Sequence, residues 1–158
     1  SGFIPENHWV HDRKIGGGRI IGEACHHIDL MRFLCGEKIT KINSSFLKGG
    51  QLDTAILTLK FEDGSIGSIN YFSNGSKSYA KEDIKIFCEE KILHLDNFKA
   101  LYGYGWNNFK KLKLFSQDKG QAQCLIEFID SIKNGSPSPI PFDEIYEVSK
   151  YSINAAKN

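Results

Sequence analysis

The sequence is short of the features that mark several large functional classes. It carries no excess of charge: 20 Lys and Arg face 19 Asp and Glu over 158 residues, a formal charge of +1. That balance gives no electrostatic footprint for nucleic acid or for an anionic membrane surface. No apolar run approaches the roughly 20 residues of a spanning helix, and the N-terminus lacks the basic-then-apolar layout of a secretory signal. Cysteine is sparse. Cys25, Cys35, Cys88 and Cys124 lie far apart in a chain large enough to fold without staples, so reduced thiols and a cytoplasmic location are expected. Neither Cys-x-x-Cys nor His-Glu-x-x-His occurs, and no metal is expected despite the short spacing of His8 and His11. The triplet Gly16-Gly17-Gly18 has no clear strand before it and no Lys-Ser or Lys-Thr after it, so it forms neither a P-loop nor a dinucleotide fingerprint. The only methionine is Met31; residue 1 is therefore either a start whose methionine was trimmed or a cut within a longer chain.

What is present fits an ordinary globular chain, with 41% hydrophobic and 25% charged residues, and one compact domain is expected. Residues 1–19 read as an ordered loop. From Ile20 to Cys35, Ile20, Ala24, Ile28, Met31 and Cys35 recur at helical spacing and Gly36 follows, which predicts one amphipathic helix. Strand patterns follow at Ile39–Phe46, Thr54–Phe61, Ile66–Phe72, Asp83–Cys88, Lys91–Leu95 and Lys111–Phe115, with Glu62-Asp63-Gly64-Ser65 and Glu89-Glu90 as hairpin turns. Tyr102-Gly103-Tyr104-Gly105-Trp106 reads as a surface loop pinned by Trp106, or less readily as a ligand-binding loop. An apolar stripe over Gln121–Asn134 predicts a second helix, and Asp143 is placed as the cap of a third. The order predicts an α+β fold: an open, largely antiparallel β-sheet with helices packed on one face. A sheet face rich in Leu57, Leu59, Ile69 and Tyr71 is expected to pair with another subunit, since a free apolar face is seldom left in water.

On a helical wheel Gly22, His26, Asp29 and Phe33 share a strip away from the apolar stripe, with Glu23 about one turn before His26 and Asp29 about one turn after it. The carboxylates favour a protonated ring and burial a neutral one, a balance suited to proton transfer near neutrality, so His26 is a candidate general acid/base. Alternatively, His26 and Asp29 form a buried hydrogen bond that holds the helix to the sheet. The glycine triplet and the helix start offer N–H groups to an anion, or else form a sharp bend. Trp9, beside His8, is a candidate platform for a sugar ring, with Arg13 available to an anionic substituent; packing within the loop is the alternative.

Residues 16–34, GGGRIIGEACHHIDLMRFL, resemble the segment that opens the C-terminal domain of the Gfo/Idh/MocA oxidoreductases, a glycine-rich turn leading into a helix with His-x-x-Asp. The preceding FIPENHWVHD resembles the subgroup that includes bi-domain sugar-pathway oxidoreductases. The resemblance implies a dihydrodipicolinate-reductase-like C-terminal domain over residues 1–158, with the N-terminal Rossmann domain that binds NAD or NADP, and its Glu-Lys-Pro lysine, lying outside this chain. It implies a dehydrogenase acting on a sugar, nucleotide sugar or cyclitol hydroxyl, inactive as the isolated domain; a homo-oligomer is expected from the apolar sheet face. By resemblance the catalytic histidine is His26. Many members carry Asp where this chain has Gly22; Glu23 is a possible substitute acid, although one residue turns about 100° around a helix. Asp29 would orient the histidine, and His8, Trp9, Arg13 and His27 would contact substrate. A non-catalytic sugar-binding or assembly module derived from the family is the alternative, with Gly22 marking a decayed site.

Overall fold

The computed structural model describes residues 4–5, 7–48, 53–76 and 78–157. The chain divides into two compact units, Ser1–Gly75 with Ile140–Asn158, and Ser76–Pro139. In the first unit a short 3-10 turn, Trp9–His11, and a π-turn, Ile20–Ala24, lead into α1 (Cys25–Cys35). Strands β1 (Ile39–Phe46), β2 (Ala55–Phe61) and β3 (Ile66–Tyr71) follow, and α3 (Phe142–Lys157) closes the unit. The strands form an antiparallel sheet in the order β1-β2-β3. Strand β2 alternates strictly, with Ala55, Leu57, Leu59 and Phe61 inward and Ile56, Thr58 and Lys60 outward. Ile39 and Ile42 of β1 both point inward in spite of their odd spacing, because the register shifts between Ile39 and Lys41 and the irregularity takes up the extra residue.

The core joins Ile20, Ala24 and Ile28 to the inward residues of the sheet and to Val148 and Ala155 of α3. Leu57, Leu59, Ile69 and Tyr71 are buried within it, at 0, 1, 8 and 3% exposure. This corrects the expectation that those four residues face another subunit: their face is the one the chain's own helices cover. Arg32, at the end of α1, extends Nε to Glu147 at 3.4 Å, and Glu147 also accepts the Ile39 N–H. One carboxylate thus fixes α1, α3 and the start of β1 together. Asp143 lies in the first turn of α3, which begins at Phe142, rather than before the helix as its cap.

The second unit holds β4 (Asp83–Cys88), β5 (Lys91–Asp96), β6 (Ala100–Tyr104) and β7 (Lys111–Lys113), antiparallel in that order, and α2 (Gln121–Asn134). The antiparallel α+β expectation therefore holds, with the strands grouped in a three-stranded and a four-stranded sheet. Glu89 and Glu90 make the expected tight turn with φ of 48° and 61°, the left-handed pair that a two-residue hairpin requires. Strand β6 replaces the loop read from Tyr-Gly-Tyr-Gly-Trp. Gly103 lies inside it because Phe109 packs there; a Cβ at 103 would stand 2.5 Å from Phe109 Cδ1, the close approach that places glycine in a strand. The stripe of α2 also departs from expectation: Leu125, Ile126, Ile129 and Ile132 are exposed.

The four cysteines are free, Cys25 and Cys35 half-buried, Cys88 and Cys124 exposed. Burial pushes the Cys25 thiol up, and the thiolate is the nucleophile. In a timed iodoacetamide reaction read by peptide mass spectrometry, Cys88 and Cys124 are expected to alkylate first, with Cys25 trailing both. Among the described residues no helix is long and apolar enough to cross a membrane.

Candidate functional site

The site is built on the loop, the π-turn and α1. Asp12 organises the loop: its carbonyl accepts the N–H groups of Ile15, Gly16 and Gly17, while its Oδ1 accepts those of Lys14 and Ile15. The Gly18 N–H goes to the Val10 carbonyl. The glycine triplet is therefore a bend whose N–H groups are spent within the loop, and the anion cradle considered from sequence is not formed by them. Gly16 is pressed on the turn above it; a Cβ there would lie 2.6 Å from the Trp9 carbonyl oxygen and from Val10 Cα. Both obstacles are backbone atoms, so Gly16→Ala is expected to displace the Trp9 turn at a cost of about 1–3 kcal/mol, measured by urea unfolding with tryptophan fluorescence as the probe.

The continuous helix expected from Ile20 begins instead with a π-turn, in which the Cys25 N–H donates to the Ile20 carbonyl as well as to that of Glu23. Such a turn holds one residue more than an α-turn and is characteristic of functional sites. Three of its five residues, Ile20, Ile21 and Gly22, have lower helix propensity than alanine. The buried row is retained through Ile20, Ala24 and Ile28, whereas the phase of Glu23 departs from the wheel used on the sequence.

His26 is exposed on α1, as are Gly22 and Phe33, with Asp29 half-buried between them. The exposed ring is thus not held in a buried hydrogen bond to Asp29. At Gly22 a Cβ would meet nothing within 4 Å, so the helix surface one turn before His26 is open. His27 is half-buried, with its ring centroid 6.4 Å from that of Tyr71. Trp9 is 60% exposed and lies 5.5 Å from the His8 ring; His8 Nδ1 accepts the Val10 N–H at 3.3 Å. Arg13 is exposed and lines a cleft of about 280 Å³ together with His11, Arg19, Asp53 and Lys157, with Ile21 and Ile153 on the apolar wall. His26, His8, Trp9 and His27 do not line that cleft.

Glu23 is held by a buried network that sequence reasoning missed. Arg19, 2% exposed, donates from Nε to Glu23 Oε1 at 2.9 Å and from Nη2 to Oε2 at 3.2 Å. Tyr71 Oη donates to Glu23 Oε2 at 2.6 Å. Arg19 Nη1 reaches Asp53 Oδ2 at 3.4 Å. Ser73 Oγ donates to Asp53 Oδ1 at 2.9 Å and lies 2.6 Å from Thr54 Oγ1; with the Ser73 proton so used, Thr54 is the donor of that pair. Burial works against the charge on Arg19, but the Glu23 hydrogen bonds and the fields of Tyr71, Glu23 and Asp53 outweigh it, holding the guanidinium above its ordinary value. The i,i+4 spacing of Arg19 and Glu23 was the signal available in the sequence. Among the described residues no group of three or more His, Cys, Asp or Glu is placed to hold a metal.

Residues 2–94, more than half the chain, match the family model described as the GFO/IDH/MocA C-terminal domain. The chain belongs to the Gfo/Idh/MocA family. Among curated proteins, the myo-inositol 2-dehydrogenase of Thermotoga maritima is 23% identical over 142 residues, which are 80% of this chain and 42% of that protein. Two solved structures share the fold. UDP-N-acetylglucosamine 3-dehydrogenase from Acidithiobacillus ferrooxidans superposes with a TM-score of 0.75 at 15% identity, over 99% of this chain and 50% of its own. Levoglucosan dehydrogenase, solved with NADH and levoglucosan, gives 0.77 at 16% identity, over 95% of this chain and 50% of its own. The chain spans about half the length of these proteins. The glycine-rich turn Gly16–Gly18 does not fit the phosphates of a nicotinamide dinucleotide, since its N–H groups are already donated to Asp12 and Val10.

Proposed function

We propose that this chain is the substrate-side half of a nicotinamide-dependent dehydrogenase that oxidises a hydroxyl of a sugar, nucleotide sugar or cyclitol. The observation that carries the reading is the placement of His26, a solvent-facing imidazole on the first helix of a Gfo/Idh/MocA C-terminal domain, beside the open helix surface at Gly22. NAD or NADP, held by a Rossmann half outside these residues, would supply the hydride chemistry. The work of this chain is to orient the substrate and to move a proton. His26 takes the hydroxyl proton during oxidation and returns it in the reverse direction. Asp29, one turn further on, orients the ring, and Glu23 contributes through the Arg19 and Tyr71 network. Trp9 offers a face for the sugar ring with His8 and His27 as polar contacts, and Arg13 meets an anionic substituent where the substrate has one.

The test uses the longer protein implied by the lengths of the relatives. With NAD⁺ and NADP⁺ offered in turn, and myo-inositol, UDP-N-acetylglucosamine and levoglucosan as trial substrates, nicotinamide reduction is followed by absorbance. Reduction with at least one of these or a related sugar is expected, and none from residues 1–158 alone. Sugar binding by the longer protein without nicotinamide reduction or a nicotinamide fluorescence change would overturn the reading in favour of a non-catalytic binding module.

A further inference from the structure

The π-turn is an unfavourable way to begin a helix, and it persists only where its surroundings hold it. Downstream, α1 is fixed by Ile28, which is 0% exposed, and by Arg32 against Glu147. Upstream, Gly16 is pressed against the Trp9 turn. Were the extra residue expelled and the helix wound regularly, the adjustment would fall on residues 19–23, which would rotate by about 100° and carry the glycine bend and the Trp9 turn with them. The group that opposes this is Arg19. Its guanidinium forks onto both oxygens of Glu23 across the π-turn and reaches Asp53 at the entrance to β2, while Tyr71 at the end of β3 holds Glu23 from the sheet side.

We propose that Arg19 is a positioning residue of the candidate site, locking the π-turn to the sheet so that the cleft it lines with Arg13, Ile21 and Asp53 keeps its shape at the start of the His26 helix. The proposal rests on the dehydrogenase reading for its kinetic consequence, and it gives Glu23 the part of a clamp rather than of a proton carrier. A planar fork is required: a lysine ammonium can satisfy one oxygen but cannot span Glu23 and reach Asp53 as well.

In the full-length enzyme, Arg19→Met is expected to lower kcat/KM for the sugar about a hundredfold, as misplacement of a substrate wall does. The cofactor KM should stay within about twofold, because the reading gives the dinucleotide to the Rossmann half outside these residues. Arg19→Lys is expected to recover little of the loss. Amide-resolved hydrogen exchange on the same protein should show faster exchange at Cys25, whose N–H closes the π-turn on Ile20. A purely structural role would lower the melting temperature without separating the sugar KM from the cofactor KM. A folded Arg19→Met enzyme with sugar kcat/KM within threefold of the parent and unchanged Cys25 exchange would overturn the proposal. If Arg19→Met does not fold, Tyr71→Phe decides, since it takes the hydroxyl donor from Glu23 and keeps the ring: a severalfold rise in sugar KM supports the clamp and an unchanged KM overturns it. If the parent reduces no nicotinamide with any sugar, the dehydrogenase reading has failed by itself. Cys25 exchange then still judges Arg19, loss of protection supporting the lock and unchanged protection overturning it.

Discussion

His26→Ala in the full-length protein is expected to lower kcat roughly a thousandfold, the scale of losing a positioned general acid/base, while leaving the chain folded. Two features make the outcome clear. The side chain is exposed, so its removal opens no cavity and costs within about 0.5 kcal/mol in unfolding free energy; a large loss of rate cannot then be ascribed to a loss of folded protein. The proton-transfer role also predicts a particular pattern. The loss should fall on kcat, the chemical step, and the cofactor KM should hold. Steady-state kinetics with both nicotinamides provide the measurement. Activity in His26→Ala within a few-fold of the parent would remove His26 from the reaction and leave the proton transfer to another group. Gly22→Asp, which places an acid one turn before the histidine where a Cβ meets nothing within 4 Å, is tolerable in packing, and its effect on kcat reports whether the site can use an acid there.

Much of the fold was legible because its signals are local. The alternation of β2 and the turns at Glu62–Ser65 and Glu89-Glu90 are properties of a few neighbouring residues, and they place the strands within a residue or two of where they lie. The helix of His26 was legible for the same reason, since Ala24, Ile28 and Gly36 mark its inner face and its end. What escaped depends on partners remote in sequence. Gly103 looks like a loop residue until Phe109 is seen filling the space above it. The π-turn keeps the spacing of Ile20, Ala24 and Ile28 intact, so the apolar pattern gives no sign of the extra residue; the sign lies in the polar partners of Arg19. The members of that network, Asp53, Tyr71 and Ser73, are brought together only when β2 and β3 pair and the π-turn packs on them. Buried polar networks of this kind are specified by tertiary structure and leave little periodic trace. The face of the sheet was misread for a simpler reason: β2 and β3 also carry Ile56 and Ile66 on their outward sides, and a strand pattern tells which residues share a face but not which face is covered.

That choice of face is tested by Leu57→Ala. Leu57 is 0% exposed in the centre of β2, packed in the cluster formed with Ile28 and Val148, and truncation of a fully buried leucine costs about 2–5 kcal/mol through lost transfer free energy and the cavity left behind. A loss of that size is a large part of the stability of a protein of ordinary size. If Leu57 lies in the chain's own core, the loss read by urea unfolding is the same at protein concentrations differing by tenfold, because no subunit contact has been changed. Were the residue at a subunit interface, the variant would instead dissociate, and its apparent stability would rise with concentration through mass action. Ile56→Ser, one residue along on the outward face and 42% exposed, is the matched control. It removes apolar surface without opening a core cavity, so its effect on unfolding should be small, and any effect on sedimentation or light scattering would mark the outward face, rather than the inward one, as the surface that meets a second copy. A concentration-dependent Leu57→Ala with a silent Ile56→Ser would reverse the assignment of inside and outside for the whole sheet.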